Sequence, residues 1–521
     1  MNERRCTDTI EHFVVSAKQM AAIEQRMFKA GMPVAALMEK VSGLITEKIM
    51  ELYPLTVVSK IGVMVGPGHN GGDALVVARE LYLKGYEVKL YRPLVKGKEL
   101  TQAHYDYAIS LRIPVSQAIE GLSECEVIID GLFGFGMTRS LTGDLAAAVG
   151  AINHWSIPVI SIDLPSGLDT DTGEVLGSAI EADYTFCLGL WKRAFFQDRS
   201  LPYLGKVELI NFGIPLADVK AVLGEKEVIK TMSESVARSF LPLPRPLVTH
   251  KYKQGHLLII AGSRQYAGGV ILTGLGARGS GVGMVSIAAP TSLKSMLVTH
   301  LPEAIIMDCA ETESVFGRGG IAELPTKAME WDNYDAIVIG PGLTLEARLI
   351  LPLVLEATTP LIIDADALNT IAQSDPMTAL KSRSETTILT PHPGEFKRLF
   401  PQLVTETNDF ITRTQIASEQ TETTILLKGA RSIIAGEGET WVIPESTPAL
   451  ARGGSGDVLA GLLGGLIAQS DRENISAASL TATAAVWHAQ TGIIASKVHS
   501  DLGVDAFTLT QYLSRWIVSA S

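Results

Sequence analysis

An α/β protein of two doubly wound domains is the fold class that this 521-residue sequence predicts. Three observations predict it. Short apolar runs rich in Val and Ile recur along the chain. Helix-length segments lie between them, and the unusual residues fall just after the runs. Runs apolar on both faces belong to parallel strands covered by helices on either side. In such sheets, ligands bind beyond the carboxyl ends of the strands.

The composition agrees. Hydrophobic residues make up 46% and charged residues 19%, as in a globular chain with ample core. The net charge of -12 argues against a nucleic acid or an acidic membrane as partner, since both demand a basic face. One small phosphorylated ligand in a locally positive pocket remains compatible with it. The four cysteines, Cys6, Cys125, Cys187 and Cys309, are scattered, so neither a zinc site nor a disulfide framework is indicated. The polar start Met1–Arg5 lacks a signal-peptide core, and the longest apolar run, 458–468, is too short for a bilayer. A cytoplasmic location is expected.

Residues 14–50 read as helix, with apolar positions at helical spacing and Gly31-Met32-Pro33 as a break. Strands follow at 61–65, 88–91, 127–129 and 159–162. The first runs into Gly66-Pro67-Gly68-His69-Asn70-Gly71-Gly72-Asp73, before a helix expected over 74–83. No Lys-Ser/Thr follows these glycines, so this is not a P-loop, and the dinucleotide glycine fingerprint is out of register. The loop still sets a backbone nest, an amide and a carboxylate at a strand end, which suits a phosphate-bearing ligand. Two further strand ends continue the theme, one with Asp130 and the glycine-rich run 131–140, the other with Asp163-Leu164-Pro165-Ser166-Gly167. Neighbouring parallel strands would gather the oxygens of Asn70, Asp130 and Ser166. Oxygen donors without sulfur or imidazole suit a hard cation such as K⁺ or Mg²⁺. Asp163 is left as a candidate acid or base.

After Gly213-Ile214-Pro215 the chain turns more polar, and Leu241-Pro242-Leu243-Pro244-Arg245-Pro246 reads as a stiff connector. The domain boundary is placed before it, giving domains 1–225 and 226–521. The second domain restarts the alternation with strands at 257–260, 336–339, 361–363, 387–389 and 425–427. Their ends carry Gly262, Gly340-Pro341-Gly342, Asp364-Ala365-Asp366, Thr390-Pro391-His392-Pro393-Gly394-Glu395 and Lys428-Gly429-Ala430-Arg431-Ser432. The stretch that organises this half is Gly453-Gly454-Ser455-Gly456-Asp457, opening straight into an apolar helix. Free N–H groups and the dipole at a helix start form an anion site, and glycines let the backbone close on a phosphate. Asp457 sits where it can take a proton from an attacking hydroxyl. Lys428 with the backbone of 428–432 suits a nucleotide's phosphates. His392, held between two prolines, is aimed to meet a substrate hydroxyl or phosphate.

With these segments in view, the first half resembles the NAD(P)H-hydrate epimerase domain, although His69 stands where that family's loop normally has Asn. The resemblance implies a Rossmann-like three-layer sandwich. It implies that Asn70, Asp130 and Ser166 hold K⁺. It also implies that His69, Asn70, Gly71, Gly72, Asp73, Gly134, Phe135, Gly136, Met137, Thr138, Arg139, Ser140 and Asp163 bind the hydrated dinucleotide, with Asp163 moving the proton. The second half resembles the ribokinase-like superfamily and, within it, the ADP/ATP-dependent NAD(P)H-hydrate dehydratases. It departs from them at Gly269, often Ala, and at Thr344, where a third glycine often stands.

That second resemblance implies substrate contacts from Gly269, Gly342, His392 and Asp457. Nucleotide contacts are implied at Lys428, Gly429, Ala430, Arg431, Ser432 and Gly456, with Mg²⁺ and with ADP rather than ATP. Taken together, the halves would epimerise hydrated NADH and NADPH (NADHX and NADPHX) at C6 and dehydrate the S form, releasing AMP and phosphate. Such proteins usually assemble, so a homotetramer or larger is expected. Two rivals are a small-molecule kinase of the hydroxymethylpyrimidine or hydroxyethylthiazole type, and a non-catalytic first half that binds protein or RNA.

Overall fold

The computed structural model describes residues 9–224, 228–312, 319–381, 383–470 and 474–518. Cys6, the start Met1–Arg5 and the boundary drawn between 225 and 226 lie outside these residues. The chain divides into two compact units, Met1–Val228 and Ile229–Ser521.

In the first unit a parallel sheet runs in the order Val115–Ser116, Glu87–Tyr91, Lys60–Val65, Val127–Gly131, Val159–Ile162, Tyr184–Leu188 and Lys206–Ile210. Alternation along each strand feeds two cores. Ile61, Val63 and Val65 pack under the helices Ala17–Lys29, Val34–Leu52 and His69–Leu83. Met64 and Ile128 point to the other face, toward helix Gly143–His154. The result is a three-layer sandwich in which each fully buried aliphatic side chain contributes about 2 kcal/mol of transfer free energy. The winding direction reverses between Lys60–Val65 and Val127–Gly131, which opens a crevice at their carboxyl ends.

Two sequence expectations need correction here. Phe13–Val15 is a short strand paired with Trp191–Lys192, and helix begins only at Ala17, where Ser16 and Gln19 form a capping box. The helix expected from Ala74 starts at His69, so His69–Asp73 form its first turn rather than a loop. Gly71 and Gly72 allow this early start, because a Cβ at Gly71 would collide with the Gly66 carbonyl and one at Gly72 would come 2.6 Å from the Met38 methyl.

In the second unit the parallel part of the sheet runs Ile305–Glu311, Met284–Pro290, His256–Ile260, Ala336–Ile339, Leu361–Ile363, Thr387–Leu389 and Thr424–Leu427. The antiparallel hairpin Ile433–Gly436 and Glu439–Val442 extends it, and Ile229–Thr231 adds on in parallel. Leu257 and Ile259 face one core, Leu258 and Ile260 the other. The winding reverses between His256–Ile260 and Ala336–Ile339. On one face, helices Ala267–Ser280 and Ser455–Gln469 touch backbone to backbone. A Cβ at Gly461 would fall on the Thr273 carbonyl, and one at Gly276 on that of Val458. Among the described residues no helix is long and apolar enough to cross a membrane.

Candidate active sites

The crevice of the first unit holds a cavity of about 790 Å³. Its floor is the first turn of helix His69–Leu83, and its wall is the loop after strand Val127–Gly131. Three oxygens pin that loop. Phe133 N–H donates to Ser166 Oγ at 2.9 Å, Phe135 N–H to Asp163 Oδ2 at 2.8 Å and Gly136 N–H to Thr170 Oγ1 at 2.9 Å. Gly134 is the point of closest approach, since a Cβ there would lie 2.9 Å from Asp163 Oδ2 and 3.2 Å from Asn70 Oδ1.

Asp163 takes a positive φ of 70°, unusual for a residue with a Cβ and a mark of a position fixed by its surroundings. What fixes it is Lys192, fully buried, whose Nζ donates to Asp163 Oδ1 at 2.5 Å and to the Leu188 carbonyl at 2.6 Å. Burial opposes the charge on Lys192, but Asp163, Cys187 and Glu24 together outweigh it and its pKa is raised. Asp73 lines the same cavity, and burial, reinforced by Asp163 and Glu24, pushes its carboxyl well above the usual range.

Asp130 is wholly buried, and burial raises its pKa against the opposing hydrogen bonds. Its Oδ1 accepts from Ser166 Oγ at 2.6 Å and its Oδ2 from Ser161 Oγ at 2.9 Å. Asn70 stands against Gly134 and Asp163, and its Nδ2 is buried without a partner. Of the expected contacts, His69, Asn70, Asp73, Gly134, Phe135, Gly136, Met137 and Asp163 line the cavity. Gly71 and Gly72 are buried behind the lining, packed against Gly66 and Met38. Thr138, Arg139 and Ser140 are exposed and outside the lining. The cavity also brings in Glu24, Lys98 and Lys192, which the sequence did not single out.

In the second unit Asp457 occupies the first turn of helix Ser455–Gln469, after Gly454 in the left-handed region. Burial, helped by Asp364 and Asp366 and opposed by Lys428, lifts its carboxyl pKa to about 7. Gly269 faces it, since a Cβ there would come 3.4 Å from Asp457 Oδ2 and 3.6 Å from Gly342 N. Gly269, Gly342 and Asp457 therefore converge. Thr344, two residues beyond Gly342, adopts a φ of 65°, which is the physical reason a glycine suits that position.

Lys428 Nζ donates to Asp364 Oδ1 at 2.8 Å, and Thr390 Oγ1 donates to the same oxygen at 2.8 Å. A Cβ on Gly456 would stand 3.5 Å from Lys428 Nζ, so the lysine reaches the glycine loop. Burial works against its charge, yet Asp364, Glu395 and Asp457 prevail and raise its pKa. His392 caps helix Pro393–Leu399, its Nδ1 accepting from Gly394 N–H at 2.9 Å while its backbone N–H donates to Glu395 Oε2 at 2.9 Å. Burial and Lys428 lower its pKa. The ring is thus neutral, with its proton on Nε2, a half-exposed donor.

Ser432 Oγ stays within its own turn on the Gly429 carbonyl, and Arg431 borders a cavity of about 410 Å³ with Thr447, Pro448 and Lys497. His488, on helix Ala477–Gly503, was missed from sequence. Its Nε2 lies 3.0 Å from the Ser455 carbonyl, and burial drops its pKa to about 4, so it braces the glycine loop as a neutral donor. Among the described residues no group of three or more His, Cys, Asp and Glu is placed to hold a metal ion.

Two family models match the chain. Residues 25–194 match the YjeF-related protein N-terminus, and residues 257–515 match NAD(P)H-hydrate dehydratase. The bifunctional NAD(P)H-hydrate repair enzyme of Synechocystis is 52% identical over 501 residues, spanning 96% of this chain and 94% of the relative. That of Thermosynechococcus vestitus is 46% identical over 492 residues, with 94% of each chain covered. The chain belongs to the bifunctional NAD(P)H-hydrate repair enzymes. As a member of that family it carries an epimerase unit in its first half and a dehydratase unit in its second, so the kinase and the non-catalytic first half give way. Among solved structures, the ADP/ATP-dependent NAD(P)H-hydrate dehydratase from Bacillus subtilis, co-crystallised with ATP and Mg²⁺, is 28% identical. It covers 56% of this chain and 98% of that one with a TM-score of 0.45.

Proposed function

We propose that Asp457 is the base of the dehydratase unit and that ADP, carried with Mg²⁺, is its co-substrate. Hydroxide leaves C6 of the hydrated ring poorly. Asp457 removes the proton of that hydroxyl, its oxygen attacks the terminal phosphoryl group of ADP, and the resulting phosphate ester leaves as phosphate while AMP is released. Elimination breaks the C6–O bond and a C5–H bond, the departing phosphate or water taking the proton, and restores the C5=C6 double bond of NADH or NADPH from the S hydrate. The carrying observation is that Asp457, Gly269 and Gly342 converge at the reversal of sheet winding, with the Asp457 pKa at about 7, suited to proton transfer at neutral pH. Lys428 and the N–H groups of Gly429–Ser432 and Gly456 hold phosphates, and the cavity beside Arg431 takes the nucleotide's far end. Nε2–H of His392 donates to the substrate, and Mg²⁺ offsets charge on the phosphates.

In the epimerase unit the 790 Å³ cavity takes the hydrated nicotinamide ring and its dinucleotide, with Asp163 moving a proton at C6. The oxygens of Asp130 and Ser166, joined by a 2.6 Å hydrogen bond, and Oδ1 of Asn70 beside Gly134 are hard donors without sulfur or imidazole, so these residues would hold K⁺. Such an ion would supply positive charge beside the substrate. The protein acts in the cytoplasm as a homotetramer or larger assembly.

The test supplies mixed R and S hydrates with ADP, Mg²⁺ and K⁺ and follows absorbance at 340 nm. Full recovery is expected from the whole protein, and none from Asp457→Asn. Native-rate recovery by Asp457→Asn, or none by the wild type, would overturn the reading.

A further inference from the structure

Epimerisation at C6 needs both a proton acceptor and a proton donor. The hydroxyl must lose its proton as the C6–N1 bond opens to an aldehyde, and N1 must gain one as it receives the bonding pair. Rotation about the neighbouring carbon–carbon bond and closure on the other face reverse both transfers. Atoms and charge balance without any further reactant.

Asp163 alone does not supply this pair. Both its oxygens are engaged, Oδ1 by Lys192 and Oδ2 by the N–H of Phe135, so it is held as an acceptor. A second carboxyl lines the same cavity. Glu24 lies on helix Ala17–Lys29, between the buried Ile23 and Met27, and its side chain takes no hydrogen bond from the described residues. Burial raises its pKa to about 7, opposed by Lys192, helped by Asp163 and opposed again by Lys98. Asp73, on helix His69–Leu83, faces it as well. An independent sign of a ligand stands in the same cavity, where the Asn70 amide nitrogen is buried and unpartnered.

We propose that Glu24 is the proton donor of the epimerase unit, opposite Asp163 as acceptor, and that Lys192 is the positioning residue that holds Asp163 in place. The division is physical. Lys192 is in hydrogen-bond contact with Asp163 and not with Glu24, and burial raises the Glu24 carboxyl more than the lysine lowers it. Glu24, left outside that contact, keeps its proton near neutral pH and has it to give. This inference rests on the epimerase reading of the first unit.

The experiment uses the full-length protein, R hydrate, ADP, Mg²⁺ and K⁺, so that only epimerised substrate restores absorbance at 340 nm. Glu24→Gln is expected to lower the R-to-S rate by about 100-fold, the range of general acid catalysis, and to leave dehydration of supplied S hydrate unchanged. The wild-type R-to-S rate should fall as pH rises through about 7, the value to which Glu24 is raised, and Glu24→Gln should lose that limb. Glu24→Asp, which keeps a transferable proton, should recover part of the rate and the limb with it. Equal rates for the Gln and Asp variants, or an unchanged Gln variant, would overturn the proposal. A wild type that never uses the R hydrate would instead sink the epimerase reading itself.

Discussion

Lys428 Nζ reaches Asp364 Oδ1 across the ends of two strands at 2.8 Å, and Asp364 is 1% exposed. The lysine therefore both neutralises a buried carboxylate and faces the glycine loop that precedes Asp457. Lys428→Met should strand Asp364 as an uncompensated buried charge and destabilise the second unit by about 3 kcal/mol. It should also raise the pKa of Asp457 further, moving the rising limb of the dehydratase pH profile upward. Chemical denaturation and the pH dependence of S-hydrate turnover check the two effects.

Asp457 should trade stability for activity. Its folded pKa, about 7, lies above the ordinary 3.8, so the folded state holds the proton more tightly than the unfolded chain. That contribution is favourable below pH 4 and is lost as pH rises through 7, where the cost is at most on the order of 4 kcal/mol. Asp457→Asn should abolish dehydration yet raise the unfolding midpoint, more at pH 8 than at pH 5. An equal shift at both pH values would remove the buried carboxylate as its cause.

Gly461 marks where two helix backbones meet. Gly461→Ala drives a methyl into the Thr273 carbonyl and must push helix Ser455–Gln469 away from Ala267–Ser280. A loss of about 2 kcal/mol is expected, with dehydratase activity falling because Asp457 rides on that helix. Epimerisation should persist, as measured by chromatographic separation of the R and S hydrates.

Gly134→Ala is the matching test in the first unit. The added methyl meets Asp163 Oδ2 and the Asn70 amide. Epimerisation should fall by about tenfold or more, in keeping with the sensitivity of catalysis to small misplacements, while S-hydrate dehydration stays at the native rate.

His488 should be silent to pH above 5, since its pKa sits at about 4. His488→Leu removes the donor to the Ser455 carbonyl and should cost about 1–3 kcal/mol. KM for ADP should rise more than kcat falls, because the phosphate loop loses its brace.

Strand ends were legible because they depart from their surroundings. Asp130, Asp163, His392 and Lys428 each follow an apolar run, and periodicity places each at the carboxyl end of a strand in its unit's parallel sheet, whereas Asp457 stands out because a glycine-rich turn opens there into an apolar helix. Gly71 and Gly72 show that a glycine signals close approach without saying what approaches. On the side where a Cβ would project, backbone approaches Gly71 and the Met38 side chain approaches Gly72. Lys192 carries no local signal. It follows an ordinary tryptophan on a two-residue strand, and its meaning comes from Asp163, 29 residues away. Glu24 could have been found, since it sits inside the apolar stripe of Met20, Ile23 and Met27, where a charged side chain is out of place. His488 lies in a helix buried nearly all round, where nothing in the pattern distinguishes a brace from filler.

Each unit holds one carboxyl poised at about pH 7, and the two jobs ask for opposite forms of it. In the proposed mechanisms, epimerisation draws on a protonated Glu24 and dehydration on an ionised Asp457. An acid shift would therefore stall the second step and leave both damaged isomers in balance. An alkaline shift would clear the S isomer and trap the R isomer upstream. Salvage of the mixed pool should run fastest in a narrow band around neutrality, with the bottleneck changing from one active site to the other as that band is crossed.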